Sequence, residues 1–103
     1  MPCSVLDQLL EISKQYNATD LHTCAGSRPL MRVNARLEIV PGTSVLSAED
    51  VAGIVSACLD PVHMELLQRN KVVDFSYSRS GFGRFRCNIY KQRGSYAVAV
   101  RML

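Results

Sequence analysis

The sequence predicts one α+β domain, an antiparallel sheet with helices packed on one face. Three observations carry that reading. The chain has 103 residues, one domain's worth. Apolar residues recur at helical spacing in its first two thirds. From Lys71 onward the pattern changes to three strand-like runs separated by glycine turns. The alternation of helices and antiparallel hairpins points to helices segregated on one face of the sheet.

The elements follow in order. Val5, Leu6, Leu9, Leu10, Ile12 and Tyr16 recur at intervals of three and four, giving an amphipathic helix over Ser4–Tyr16 with Ser4 as N-cap. Asn17–Asp20 turns the chain into a short strand, Leu21–Cys24. Pro29–Val33 and Arg36–Val40 form a hairpin around Asn34-Ala35, and Pro41-Gly42 breaks the chain. Ser47-x-x-Asp50 is a capping box with Asp in place of the usual Glu or Gln, opening a helix whose apolar face is Val51, Ile54, Val55 and Cys58. Asp60-Pro61 starts a third helix through Leu66 and Leu67. Strands are then expected at Val72–Ser78, Phe82–Lys91 and Tyr96–Leu103, with turns at Ser80-Gly81 and Arg93-Gly94.

Composition narrows the function classes. With 48% hydrophobic and 20% charged residues the chain is an ordinary globular one, long enough to fold without metal or disulfide staples. The longest apolar run is Tyr96–Val100, too short to span a membrane as a helix, and the N-terminus lacks the order of a secretory signal. A soluble, cytosolic protein is expected. Cys3, Cys24, Cys58 and Cys87 contain no C-x-x-C pair, so free thiols are expected and a structural zinc is not. The net charge of +3 hides a division. Residues 1–70 hold five basic side chains against eight acidic ones; residues 71–103 hold seven against Asp74 alone. Such a basic C-terminal third implies a localised anion-facing surface.

Period two divides the strand at 82–90. Phe82, Arg84, Arg86, Asn88 and Tyr90 share one face, while Gly83, Phe85, Cys87 and Ile89 form the core face. Two arginines and an asparagine bracketed by aromatics can present guanidinium groups to a ligand, or simply coat a solvated sheet. In the next strand Arg101 must reach solvent or meet an anion. Gly81-Phe82-Gly83 has the middle of an RNA-recognition strand, yet Ser80, Arg84 and Cys87 replace the basic residue and the stacking aromatics that such a strand needs. Phosphate contact during nucleotide hydrolysis is the other option, since arginine fingers usually come from a domain or subunit other than the one holding the nucleotide. Neither G-x-x-x-x-G-K-[ST] nor G-x-G-x-x-G occurs in the chain.

Linked blocks then resemble a known family. Ala18-Thr19-Asp20-Leu21-His22 and Ala25-Gly26-x-x-Pro29-Leu30-Met31-Arg32-Val33-Asn34 are similar to the S-D-L-H stretch and following hairpin of the type IV pilus retraction ATPases, the PilT family. Asp74-Phe75-Ser76 resembles its D-F-S. Gly83-Arg84-Phe85-Arg86-Cys87-Asn88 through Gln92-Arg93-Gly94 resembles its G-R-F-R-V-N strand and Q-R-G turn. The blocks come in the family's order and cover essentially the whole chain.

The resemblance implies a PAS-like N-terminal domain, residues 1–103, of a hexameric motor whose RecA-like ATPase domain lies outside this chain, which stops inside a strand pattern as an excised fragment does. It implies ATP and Mg in the full-length parent, none in this chain alone, and no ATP hydrolysis by this chain. Implied partners are the parent's own C-terminal ATPase domain, neighbouring subunits of a homohexamer and the inner-membrane machinery at the pilus base, with no nucleic acid. The implied place is the cytoplasmic face of the inner membrane, and the implied function is pilus retraction in twitching motility.

Relatives in the wider secretion group place two arginines fifteen residues apart towards ATP; Arg86 and Arg101 have that spacing here and stand at the matching positions. Arg84 is a further nucleotide-binding candidate, while Lys91 and Arg93 are assigned to the turn or a neighbouring subunit. Asp20 and His22 are read as structural, Asp20 capping the loop after the first helix, with an interdomain or intersubunit contact as the alternative. Asn34-Ala35 replaces the family's Asp-Gly, and because Ala tolerates positive φ poorly a different turn is expected there. A non-catalytic subunit-interaction module, a nucleic-acid module and a small-molecule sensor are the alternative readings.

Overall fold

The computed structural model describes residues 4–103. Cys3 lies outside the described residues, and so does the side chain of Ser4, the expected N-cap. The first helix, α1 (Ser4–Gln15), buries Leu6, Leu9 and Leu10 and leaves Val5 exposed; it ends one residue before the expected Tyr16, which is exposed in the turn that follows. Asp7 is also buried, and its Oδ1 accepts a 2.8 Å hydrogen bond from the Tyr77 hydroxyl.

Three short strands follow: β1 (Asp20–Cys24), β2 (Leu30–Val33) and β3 (Arg36–Ile39). The β2–β3 hairpin turns through Asn34 at φ +52° and Ala35 at φ +66°. The expectation that losing the glycine changes the turn is therefore wrong: two left-handed residues in succession are the type I′ geometry that matches strand twist, and the pairing of Val33 with Arg36 enforces it on an alanine. A left-handed alanine costs about 1–2 kcal/mol. Glycine's extra unfolded-state freedom takes back about 0.4–1 kcal/mol. Ala35→Gly is thus expected to stabilise the domain by about 0.5–1 kcal/mol, read from the denaturant midpoint.

Helix α2 (Ala48–Cys58) opens with the expected capping box. The Asp50 N–H donates to Ser47 Oγ at 3.0 Å and the Ser47 N–H to Asp50 Oδ2 at 2.9 Å. Asp60 caps α3 (Pro61–Asn70), accepting from the His63 backbone N–H and pairing with His63 Nδ1, each at 2.8 Å. Those two hydrogen bonds, the backbone one first, hold the exposed Asp60 carboxyl below its ordinary pKa. The helix ends at Lys71, left-handed at φ +68°.

The last three strands, β4 (Val72–Arg79), β5 (Gly83–Gln92) and β6 (Ser95–Met102), pair antiparallel in sequence, and β6 then lies beside β1. The six-stranded order is β3-β2-β1-β6-β5-β4, antiparallel throughout. Leu21, Met31, Phe85, Cys87, Ile89, Val98 and Val100 project from one face into a single core with the buried residues of the three helices. This is the predicted α+β architecture. Cys87 sits in that core, and burial pushes its thiol up to about 12, so it stays protonated at any physiological pH. Among the described residues no helix is long and apolar enough to cross a membrane.

One strand-face assignment fails. Strand β5 begins at Gly83, so the alternation does not reach Phe82. Its ring packs on the core side, 5.8 Å from that of Phe85, beneath the Lys14 amine, which also donates to the Phe82 carbonyl.

Candidate functional site

The helices cover one face of the sheet and leave the other to solvent. Antiparallel register fixes which side chains meet there, because residues directly opposite point to the same side. One cross-strand row reads Arg32 on β2, Asp20 on β1, Arg101 on β6, Arg86 on β5 and Ser76 on β4. The next row reads Leu30, His22, Ala99, Asn88 and Asp74. Between the two rows lies a shallow depression of about 240 Å³, walled by Asp20, His22, Asp74, Arg86, Asn88 and Arg101 with Ala99 and Val100 at its base.

The two arginines singled out by spacing are direct cross-strand partners. Fifteen residues of separation bring them together because β5 and β6 are joined by a tight turn, Arg93 at φ +51° and Gly94 at φ +81°. Both are exposed. Asp20 compensates one side of the pair: its Oδ1 lies 3.6 Å from Arg101 Nε and its Oδ2 3.5 Å from Arg32 Nε. Among the described residues no carboxylate lies within ion-pair distance of Arg86. Like charges directly opposite on a sheet are destabilising, by an amount on the scale of about 0.2–1 kcal/mol for such cross-strand pairs. Arg86→Thr, which keeps a good strand former, is accordingly expected to raise stability by a few tenths to about 1 kcal/mol, measured as a rise in the urea midpoint.

Arg84 is on the same face but two residues further along β5, where it borders separate hollows with Lys14, Phe82 and Leu103 or with Ser78 and Ser80. The structure does not bring it to the Arg86–Arg101 depression. Lys91 belongs to the helix side: its amine donates to Gln68 Oε1 at 3.2 Å and lies 5.7 Å from the Tyr96 ring centroid. Arg93 sits in the turn.

Sequence reasoning named three walls of the depression without bringing them together with the arginines. Asp20, read as a loop cap, is the first residue of β1 and the centre of an arginine–carboxylate–arginine row. His22 faces the same hollow. Asp74, whose Oδ1 accepts from Asn88 Nδ2 at 3.1 Å, was visible only as part of a motif. A period-two reading of β1 and β4 puts these residues on one face, but the β1–β6 pairing that joins them to Arg101 spans almost the whole chain. Among the described residues no group of three or more His, Cys, Asp or Glu is placed to hold a metal ion.

No protein-family model matches the chain. Individual proteins do. A pilus retraction motor, PilT, solved with bound ADP, superposes with a TM-score of 0.83 at 28% identity, over 98% of this chain and 28% of that one. The type IV pilus retractation ATPase PilT of Pseudomonas aeruginosa is 30% identical over 90% of this chain. The chain is thus similar over nearly its whole length to part of the PilT ATPases, consistent with their N-terminal domain. The type IV pilus ATPase PilU of the same organism is 29% identical over 94% of this chain. An uncharacterized Escherichia coli protein, YggR, is 26% identical over 95%. The Legionella pneumophila ATPase DotB shares the fold, with a TM-score of 0.81 at 21% identity. The chain spans between a quarter and a third of the length of the curated relatives it matches.

Proposed function

We propose that this chain is the arginine-donating N-terminal domain of a hexameric, ATP-driven motor that retracts type IV pili from the cytoplasmic face of the inner membrane. The observation that carries the reading is the Arg86–Arg101 pair, two exposed arginines directly opposite one another on neighbouring strands. A phosphate oxygen cluster relieves their repulsion and accepts their fork of donors. The arrangement fits the polyphosphate of a nucleotide, and the chain has no phosphate-cradling loop of its own. Nucleotide and Mg²⁺ are therefore held by a second domain in this reading, and closure of the open face over that domain delivers the arginines. Charge developing on the transferred phosphoryl group is what such arginines stabilise. Closure and reopening around the ring supply the motion that draws pilin from the fibre.

The test is to bind ATP carrying a photoreactive group on its γ-phosphate to the full-length protein and map the adducts. Labelling of the open face around residues 84–88 and 99–101 is expected. Adducts confined to the rest of the protein would remove the reading.

A further inference from the structure

The open face does more than expose two arginines; it sets one of them beside a carboxylate. The Asp20 carboxylate is largely covered, with 18% of its side-chain surface exposed, while Arg101 is 74% exposed. The carboxylate is held from three directions. Arg32 approaches Oδ2 through Nε at 3.5 Å, Arg101 approaches Oδ1 through Nε at 3.6 Å, and the Thr19 hydroxyl donates to Oδ2 at 3.0 Å. Arg32 is itself anchored, its terminal nitrogen donating to the Ala35 carbonyl at 3.4 Å.

We infer that Asp20, braced by Arg32, is the positioning residue for Arg101; this deepens the proposed function and rests on it. Chemistry gives the reason. An arginine side chain has several rotatable bonds, so an exposed one samples many directions and loses that freedom when it must meet a ligand. Asp20 engages the Nε nitrogen, the one nearest the backbone. That leaves the two terminal nitrogens, which carry four of the five N–H donors, turned outward for phosphate oxygens. A carboxylate that gripped both terminal nitrogens would compete with phosphate; one that holds Nε aims the fork. Asp20 also offsets one of three positive charges in its row, so Arg101 can stand opposite Arg86 without the full like-charge penalty. Arg86 has no such brace among the described residues, which makes the two arginines unequal: Arg101 pre-aimed, Arg86 free to follow the phosphate.

The test is steady-state ATP turnover and ADP affinity of the full-length protein in four forms: wild type, Asp20→Asn, Arg101→Ala and the double variant. Asp20→Asn keeps the shape and removes the charge. It is expected to lower kcat on the order of tenfold, within the loss that a misplaced catalytic group causes, with ADP affinity unchanged. In the Arg101→Ala background the same change is expected to cost less than twofold, because there is no fork left to aim. Asp20→Glu, which restores the charge, is expected to recover part of the rate. If Arg101→Ala lowers kcat and Asp20→Asn does not, or if the two losses multiply, the positioning role is overturned while the arginine-donating reading survives. If Arg101→Ala itself leaves turnover unchanged, both fall.

Discussion

Leu21→Ala is expected to destabilise the domain by about 2–5 kcal/mol, the range for truncating a fully buried leucine. Leu21 is completely buried on β1, and its cross-strand partners Met31 and Val100 are 1% and 2% exposed. That row lies beneath the helices where the two halves of the fold meet. The sheet places β1 between β2 and β6, hydrogen-bonded on both sides, so the backbone cannot settle into the space left by the lost methyl groups. A cavity therefore persists, and the cost includes lost contacts as well as lost transfer energy. Against a whole-domain stability of about 5–15 kcal/mol this is a large fraction. With a urea slope of about 1–3 kcal/mol/M the midpoint falls by roughly 1 M or more. Leu37→Ala is the control: Leu37 is half exposed on the edge strand β3, and its loss is expected to stay within about 0.5 kcal/mol. Equal midpoint shifts for the two variants would mean that the core is not centred on the β1–β6 seam.

That seam also separates what could be read from the sequence from what could not. Local signals were legible. The Ser47–Asp50 box, the Asp60-Pro61 helix start and the Arg93-Gly94 turn each rest on contacts within a few residues, and each is found in the structure. The outward placement of Arg84 and Arg86 followed from period two, because β5 is long and alternates cleanly. The alternation gave the wrong face to Phe82, since a residue before the first ladder pair is free to fold over the sheet end. At Ala35 a propensity rule lost to context: strand pairing on both sides holds the hairpin in a turn that alanine disfavours. The ion pairs of Asp20 were not legible for a different reason. One of its partners, Arg101, lies 81 positions away, and no local pattern encodes the pairing of the first strand with the last.

The second large effect concerns the arginines. In the full-length protein Arg86→Ala and Arg101→Ala are each expected to lower ATP turnover by about 10³-fold or more, the lower end of what an arginine supplied to a transferring phosphoryl group contributes. Nucleotide binding is expected to persist, because in this account the phosphates are cradled elsewhere and the arginines act on charge that develops during the reaction. Loss of kcat with ADP affinity intact separates that role from ground-state binding. Folding is not the cause of the loss, since both side chains are exposed on the open face and Arg86 stands in an unfavourable like-charge pair. Arg86→Lys sharpens the point: it keeps the charge but loses the planar fork, and most of the activity is expected to go with it. Salt-sensitive assembly with normal turnover in these variants would identify the basic face as a subunit contact instead.

The measurement to make is kcat for ATP hydrolysis by the assembled full-length protein carrying Arg86→Ala, alongside its ADP affinity. A fall of about 10³-fold with affinity preserved is the predicted result. Turnover within twofold of wild type would contradict the claim that this face donates arginines to the nucleotide.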